Sequence, residues 1–132
     1  MASDGETRRG RRKRCAAAAS ALALLSLAGC SENAERAASG TGGEAARGRR
    51  AIERYGCGAC HTIPGIEGAR ATIGPSLGDL DKRPQLTGGL ANTPDNLVRW
   101  VRHPQQVRPG TTMPDLGIGD RDARDIAAYL YR

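Results

Sequence analysis

Five consecutive residues, Cys57-Gly58-Ala59-Cys60-His61, carry the densest chemistry in the chain. Two thiols separated by two small residues on one helical turn can each add to a vinyl group of the same porphyrin. The histidine directly after the second thiol is then held beneath the ring, where its imidazole can bind iron. This C-x-x-C-H run reads as the covalent attachment site of one haem c, with His61 as proximal ligand. Without the histidine, a thioredoxin-like dithiol or half of a zinc site would compete. Zinc would need another Cys or His pair at short spacing, yet beyond His61 only His103 follows and no cysteine. A dithiol motif would sit in an alternating strand and helix pattern, which is absent.

The rest of the chain must position this motif with few large side chains. Its 132 residues allow one small domain, and they include no Phe, one Trp and three Tyr. A domain so poor in aromatics usually needs a staple such as a metal, a disulfide or a buried cofactor, and a haem's apolar face supplies one. Ala45, Gly48, Ile52 and Tyr55 recur on one helical face, with Arg47, Arg50, Glu53 and Arg54 elsewhere on the wheel. That spacing predicts a helix running into the haem motif and ended by Gly56. Thr93-Pro94 is an N-cap and first-turn pair, so a second helix is expected over 93–102, stopped before Pro104. Ala123, Ile126, Ala127 and Leu130 form a third apolar stripe, with Asp120 and Asp122 suited to its start and Arg132 to its end. Everything between is Gly and Pro punctuation, including Gly74-Pro75, Pro104, Pro109-Gly110 and Pro114. No strand pattern and no internal repeat is visible.

The formal net charge of +6 suggests nucleic acid until its location is considered. Arg8, Arg9, Arg11, Arg12, Lys13 and Arg14 precede an uncharged apolar run from Ala16 to Gly29, the layout of a signal peptide. From Cys30 onward there are 14 basic and 12 acidic residues, an excess that two haem propionates would cancel. No nucleic-acid partner is expected. Leu27-Ala28-Gly29-Cys30 resembles a bacterial lipobox, in which cleavage leaves Cys30 N-terminal and lipid-modified. An ordinary cleaved signal and an uncleaved anchor are the alternatives, and the apolar run of about fifteen residues falls short of the roughly twenty a spanning helix needs. Residues 1–29 are accordingly expected to be a lipoprotein signal peptide, exported by the general secretion route. The Arg8-Arg9 pair raises twin-arginine export, but basic residues follow it where apolar ones are usual. The polar, Gly-rich residues 31–43 are expected to be a flexible tether spanning about 20 Å r.m.s. and about 45 Å at full extension. The folded domain is expected over 44–132. Cys15 leaves with the signal, so no disulfide is expected.

Over residues 44–132 the sequence resembles the small class I cytochromes c. The resemblance rests on Gly48 and Tyr55 ahead of the haem motif, Gly74-Pro75-Ser76-Leu77, Thr112-Met113-Pro114, and Asp125-Ile126-Ala127-Ala128-Tyr129-Leu130. The run from Asn92 through Trp100, His103-Pro104 and Arg108-Pro109-Gly110 to Met113-Pro114 is most similar to the cytochrome c domain fused to subunit II of some haem-copper oxidases. The copper-binding domain and membrane helices of that subunit have no counterpart here, so a stand-alone domain is expected. The resemblance implies an all-α fold of three or more helices, with Gly/Pro-rich loops wrapped around one covalent haem.

It also implies roles for individual residues. Met113 becomes the distal ligand, with a soft thioether that raises the reduction potential. His103 is the competing ligand and would give a bis-histidine haem of lower potential. The carbonyl of Pro75 is expected to accept a hydrogen bond from the second ring nitrogen of His61. Gly48 is expected to let Ile126 and Tyr129 approach the first helix. Trp100 either donates its indole N-H to a propionate or packs in the core.

Iron held between histidine and methionine has no open position for substrate. The expected function is single-electron transfer by a non-catalytic, lipid-tethered protein on the periplasmic or outer side of a bacterial membrane. Its partners would be respiratory redox proteins such as a haem-copper oxidase or a quinol-oxidising complex. The rival expectations are an electron-entry subunit of an oxidase or dehydrogenase, and a haem-based sensor in which Met113 is labile. Lys82 is the only lysine after Cys30, so docking by a lysine ring is not expected. Apolar contact around the haem edge is expected instead, with Arg47, Arg49, Arg50, Arg54, Arg99, Arg102 and Arg108 either solvated or steering.

Overall fold

The structure, a computed structural model, describes residues 40–132. The expected signal peptide, lipobox and Cys30, and residues 30–39 of the expected tether, lie outside the described residues. Four helices follow in order: α1 Ala45–Arg54, α2 Pro94–Arg102, α3 Pro104–Val107 and α4 Asp120–Leu130. Single 3₁₀ turns occupy Cys57–Ala59 and Leu80–Lys82. Among the described residues there is no strand, only the isolated bridges Thr62 to Arg70 and Gln85 to Ala91. None of their helices is long and apolar enough to cross a membrane.

The helix boundaries follow from local chemistry. Gly56 adopts a left-handed conformation (φ 68°) just after α1 and turns the chain into the haem motif. Thr93 caps α2, its hydroxyl accepting from the Asn96 amide at 3.3 Å. α2 ends before Pro104 as expected, but the short α3 is an addition, with Pro104 as the first residue of a new helix. Proline is favoured at that position because its missing N-H would have no intrahelical partner. His103 serves both helices, ending α2 and preceding α3.

Ala51, Ile52, Leu97, Val98, Val101, Ala123, Ile126, Ala127, Tyr129 and Leu130 form most of the buried core, joined by Ile63, Ala69, Leu80 and Ile118 from the loops. The closest contact between helices is α1 on α4. A Cβ on Gly48 would lie 1.9 Å from the Asp125 carbonyl oxygen and 2.9 Å from Tyr129 Cβ. Tyr129 is therefore a neighbour as expected, but the tightest contact is the Asp125 backbone and not Ile126.

An ion network the apolar stripe concealed locks the same crossing. Asp125, on the buried face of α4, accepts from Arg47 Nε at 2.7 Å, Arg47 Nη2 at 2.8 Å and the Glu44 amide at 2.7 Å. Arg47 also pairs with Glu44. Burial alone would push the Asp125 carboxyl up, but the hydrogen bonds from Arg47 and the Glu44 amide, with the charges of Arg47 and Arg121, outweigh it and hold the group below its ordinary value.

Packing begins ahead of the expected boundary at Glu44. Thr41 and Gly43 are buried, and the Thr41 carbonyl accepts from Arg124 at 3.2 Å. A Cβ on Gly43 would lie 2.0 Å from the Arg124 carbonyl oxygen. The last residues assigned to the tether are thus part of the folded unit, held because glycine lets the chain lie directly against α4.

Candidate haem site

The motif is built by a tight turn. Gly56 points the chain out of α1, and the amides of Cys60 and His61 both donate to the Cys57 carbonyl, at 3.2 and 3.0 Å. Both thiols are free and half-buried. Burial pushes the Cys57 thiol up, opposite to the lowered value of a reactive dithiol pair. Among the described residues no three His, Cys, Asp or Glu side chains converge into a metal-ion donor set. Gly58 between the thiols is closely packed: a Cβ there would lie 2.8 Å from Ala69 Cβ.

Residues 62–78 fold back over the motif. The Gly74 amide donates to the Cys60 carbonyl at 2.7 Å, the Leu77 amide to the Thr62 carbonyl at 2.8 Å, and the Thr62 hydroxyl to the Ala71 carbonyl at 3.0 Å. This brings the Pro75 carbonyl 2.7 Å from His61 Nδ1. Proline pre-sets the backbone there, and the glycine before it leaves room for the ring. A Cβ on Gly74 would lie 2.4 Å from His61 Cε1 and 2.7 Å from Nδ1. With Nδ1 donating to a carbonyl, Nε2 carries the free lone pair, the arrangement an iron ligand requires. The paired thiols, the oriented imidazole and the glycine cradle around it together fit a covalently held haem.

Side chains that sequence reasoning missed secure this loop. Arg83 donates to the carbonyls of Ser76 and Gly78 at 2.7 and 2.8 Å. Asn92 donates to those of Leu80 and Arg83 at 2.6 and 2.8 Å and accepts from the Tyr131 hydroxyl. Burial pushes the Tyr131 hydroxyl up to about 12, so it remains a donor across the physiological range. At the end of α4, the Tyr129 hydroxyl donates to the Pro64 carbonyl at 2.8 Å, and Arg132 lies 3.6 Å from the Tyr129 ring centroid while donating to the same carbonyl. A polar residue facing distant backbone leaves no periodic signal. Only the Asn-Thr-Pro and Asp-Ile-Ala-Ala-Tyr-Leu runs marked these positions.

Met113 lies half-buried in the segment between α3 and α4. Trp100 is half-buried on α2 and packs against the core. His103 is half-buried at the junction of α2 and α3. Arg49 pairs with Glu53, Arg54 with Asp122, Arg102 with Asp120 and Lys82 with Asp79. Much of the expected basic patch is thereby neutralised locally.

Known proteins similar to this chain place it in a family. It is 32% identical over 85 residues to cytochrome c oxidase subunit 2 of Alkalihalophilus pseudofirmus and 32% over 65 residues to that of Bacillus sp. strain PS3. These alignments cover 64% and 48% of the chain but only 24% and 18% of the relatives' length. It is 37% identical over 87 residues to cytochrome c2 of Rhodopila globiformis, covering 56% of the chain and 79% of the relative. Such cytochromes carry covalent haem c and transfer electrons. With residues 43–130 matching the family described as cytochrome c oxidase, cbb3-type, subunit III, and with one haem-attachment motif inside an all-helical fold, this chain belongs to the c-type cytochromes.

Proposed function

We propose that this chain is a lipid-tethered, single-electron carrier in which Cys57 and Cys60 hold one haem c, His61 is its proximal ligand through Nε2, and Met113 is its distal ligand. The observation that carries this reading is the contact of His61 Nδ1 with the Pro75 carbonyl, because it fixes both the ring's orientation and its tautomer. Bound haem supplies a site that accepts one electron and later gives one up. The protein's own residues limit the structural change between these states. Gly74 and Pro75 hold the imidazole, and Trp100, half-buried against the core, is the proposed indole donor to a propionate.

Attachment through Cys30 would confine the carrier to the outer side of a bacterial membrane and raise its effective concentration near partners. Ile73 and Leu116 are the large apolar side chains left exposed among the described residues, at 77% and 40%. One immediately precedes Gly74 and the other follows Met113 by three positions. This supports partner contact that is largely apolar and only mildly salt-dependent. Haem-copper oxidases and quinol-oxidising complexes are the proposed partners.

Replacement of Met113 by Ala tests the site. It should abolish the methionine-to-iron absorption at the red end of the ferric spectrum and lower the reduction potential, and an unchanged spectrum would move the assignment to His103. The similarity to two oxidase subunits favours a second reading, an electron-entry subunit. Stable co-purification with a haem-copper oxidase in mild detergent would support it over a diffusing carrier.

A further inference from the structure

Most residues of the segment carrying Met113 are exposed, so what fixes it in place matters. Arg108-Pro109-Gly110-Thr111 forms a turn closed by the Thr111 amide donating to the Arg108 carbonyl at 3.1 Å, with Gly110 at φ 80°. Proline followed by glycine suits this geometry, since proline pre-sets the first central residue and glycine alone takes the positive φ freely. The Arg108 amide in turn donates to the Pro104 carbonyl at 2.9 Å, tying the turn to α3. Beyond the turn, the Met113 amide donates to the Thr111 hydroxyl at 3.3 Å.

One side chain bridges the result. Gln105, in the first turn of α3, donates from Nε2 to the Thr111 carbonyl at 2.8 Å and to the Met113 carbonyl at 2.9 Å. A primary amide has two N-H groups on one nitrogen, and both are used here, on two carbonyls two residues apart. No other protein-coding side chain combines that reach with two neutral donors. Asparagine is one methylene shorter, and glutamate offers acceptors where donors are needed. The core contributes little at this point: Pro114, Asp115, Leu116 and Gly117 are exposed, and the segment next becomes buried at Ile118.

We infer that Gln105 is a positioning residue for the distal side, a clasp whose two hydrogen bonds hold the Met113 loop closed and set how often it opens. The inference rests on Met113 being the distal ligand. It assigns control of that ligand's release to a residue eight positions away on a helix that begins with Pro104. The proline start of α3 acquires a purpose, because it delivers Gln105 one residue after the helix begins and opposite the turn.

The test uses the mature holoprotein with Gln105→Leu, Gln105→Glu and Met113→Ala, following imidazole binding to the ferric form by stopped-flow spectroscopy. In the unaltered protein the observed rate should level off at high imidazole, where loop opening becomes limiting. Both Gln105 variants should raise that limiting rate about tenfold, the effect of losing the clasp's hydrogen bonds from a partly solvated site. They should keep the unaltered protein's helical content, because Gln105 is exposed. Gln105→Glu preserves size and removes both donors, so equal acceleration by Glu and Leu assigns the effect to the hydrogen bonds. A limiting rate in Gln105→Glu equal to that of the unaltered protein overturns the inference. Failure of the ligand assignment would look different: Met113→Ala would then leave imidazole binding slow, instead of making it fast and no longer limited by opening.

Discussion

On the His61 side the imidazole meets the Pro75 carbonyl, the Gly74 backbone lies against the ring, and the Cys60 carbonyl is bound to the Gly74 amide. Arg83 and Tyr129 then tie the flanking carbonyls to the rest of the fold. The Met113 side has a proline-glycine turn, one hydroxyl and one glutamine amide. The bonds within residues 60–78 on the histidine side are supplemented by others from Arg83, Tyr129 and Arg132. On the methionine side the bonds come almost entirely from the eight residues that precede Met113, with one outside tie from Arg108 to the Thr87 hydroxyl at 3.1 Å. The redundancy of the proximal side makes it part of global folding, whereas the distal side can change locally while the helices remain packed.

The most severe break of this contrast is Gly74→Ala. Its Cβ would lie 2.4 Å from His61 Cε1, so either the ring or the loop must move, at a cost of about 3 kcal/mol on a site with no slack. Haem-stained protein should accumulate poorly, and what survives should have lost the low-spin ferric spectrum. Normal yield with an unchanged spectrum would mean that the proximal side yields as readily as the distal one.

Asp125→Asn should separate global stability from distal opening. Removing the charge from a buried site that accepts three hydrogen bonds should cost about 3 kcal/mol of unfolding free energy in denaturant titrations. The limiting rate of imidazole binding at room temperature should stay unchanged. The folded carboxyl lies below its ordinary value, so its contribution is present above the unfolded value of about 3.9 and is lost as pH falls through the folded value. Stability of the unaltered protein should therefore fall with acid below about pH 4, and the Asn variant should show a flatter profile there. Equal acid sensitivity in the two proteins would place the acid-labile group elsewhere.

Tyr129→Phe is the mildest test. It removes the hydrogen bond to the Pro64 carbonyl, which Arg132 also reaches, so a loss of about 1 kcal/mol in thermal unfolding is expected. A much larger loss would show that the proximal loop hangs on a single bond after all.

The contrast also explains what the sequence disclosed. Features fixed by local covalent chemistry were legible: the haem motif, the Thr93 cap, the Gly56 stop, and the three long helices with their apolar faces. Gly74-Pro75 was recognised as the partner segment of His61 through family resemblance, but the need for glycine against the ring appeared only in three dimensions. Asp125 was hidden because an acid inside an apolar stripe identifies neither its partner nor its burial. Gln105, Arg83 and Asn92 act on backbone carbonyls, and carbonyls carry no residue identity for a pattern to match. The stop before Pro104 was legible but the helix that starts there was not, because a proline after a helix end and a proline at a helix start look alike when a single residue separates the two.

The Gly48 contact bears on how the sequence can change over time. The atoms a side chain at position 48 would strike first are the carbonyl oxygen and carbon of Asp125, which belong to the main chain of α4. Every amino acid presents those same atoms, so no compensating replacement at position 125 can make room. Position 58 differs, because the nearest obstacle there is the Cβ of Ala69, which a change to glycine would remove, leaving the Ala69 Cα at 3.1 Å as a tight contact that a small shift relieves. Of two glycines in the same short stretch, one can drift in concert with a partner, and the other stays closed to substitution for as long as the two helices cross at this point.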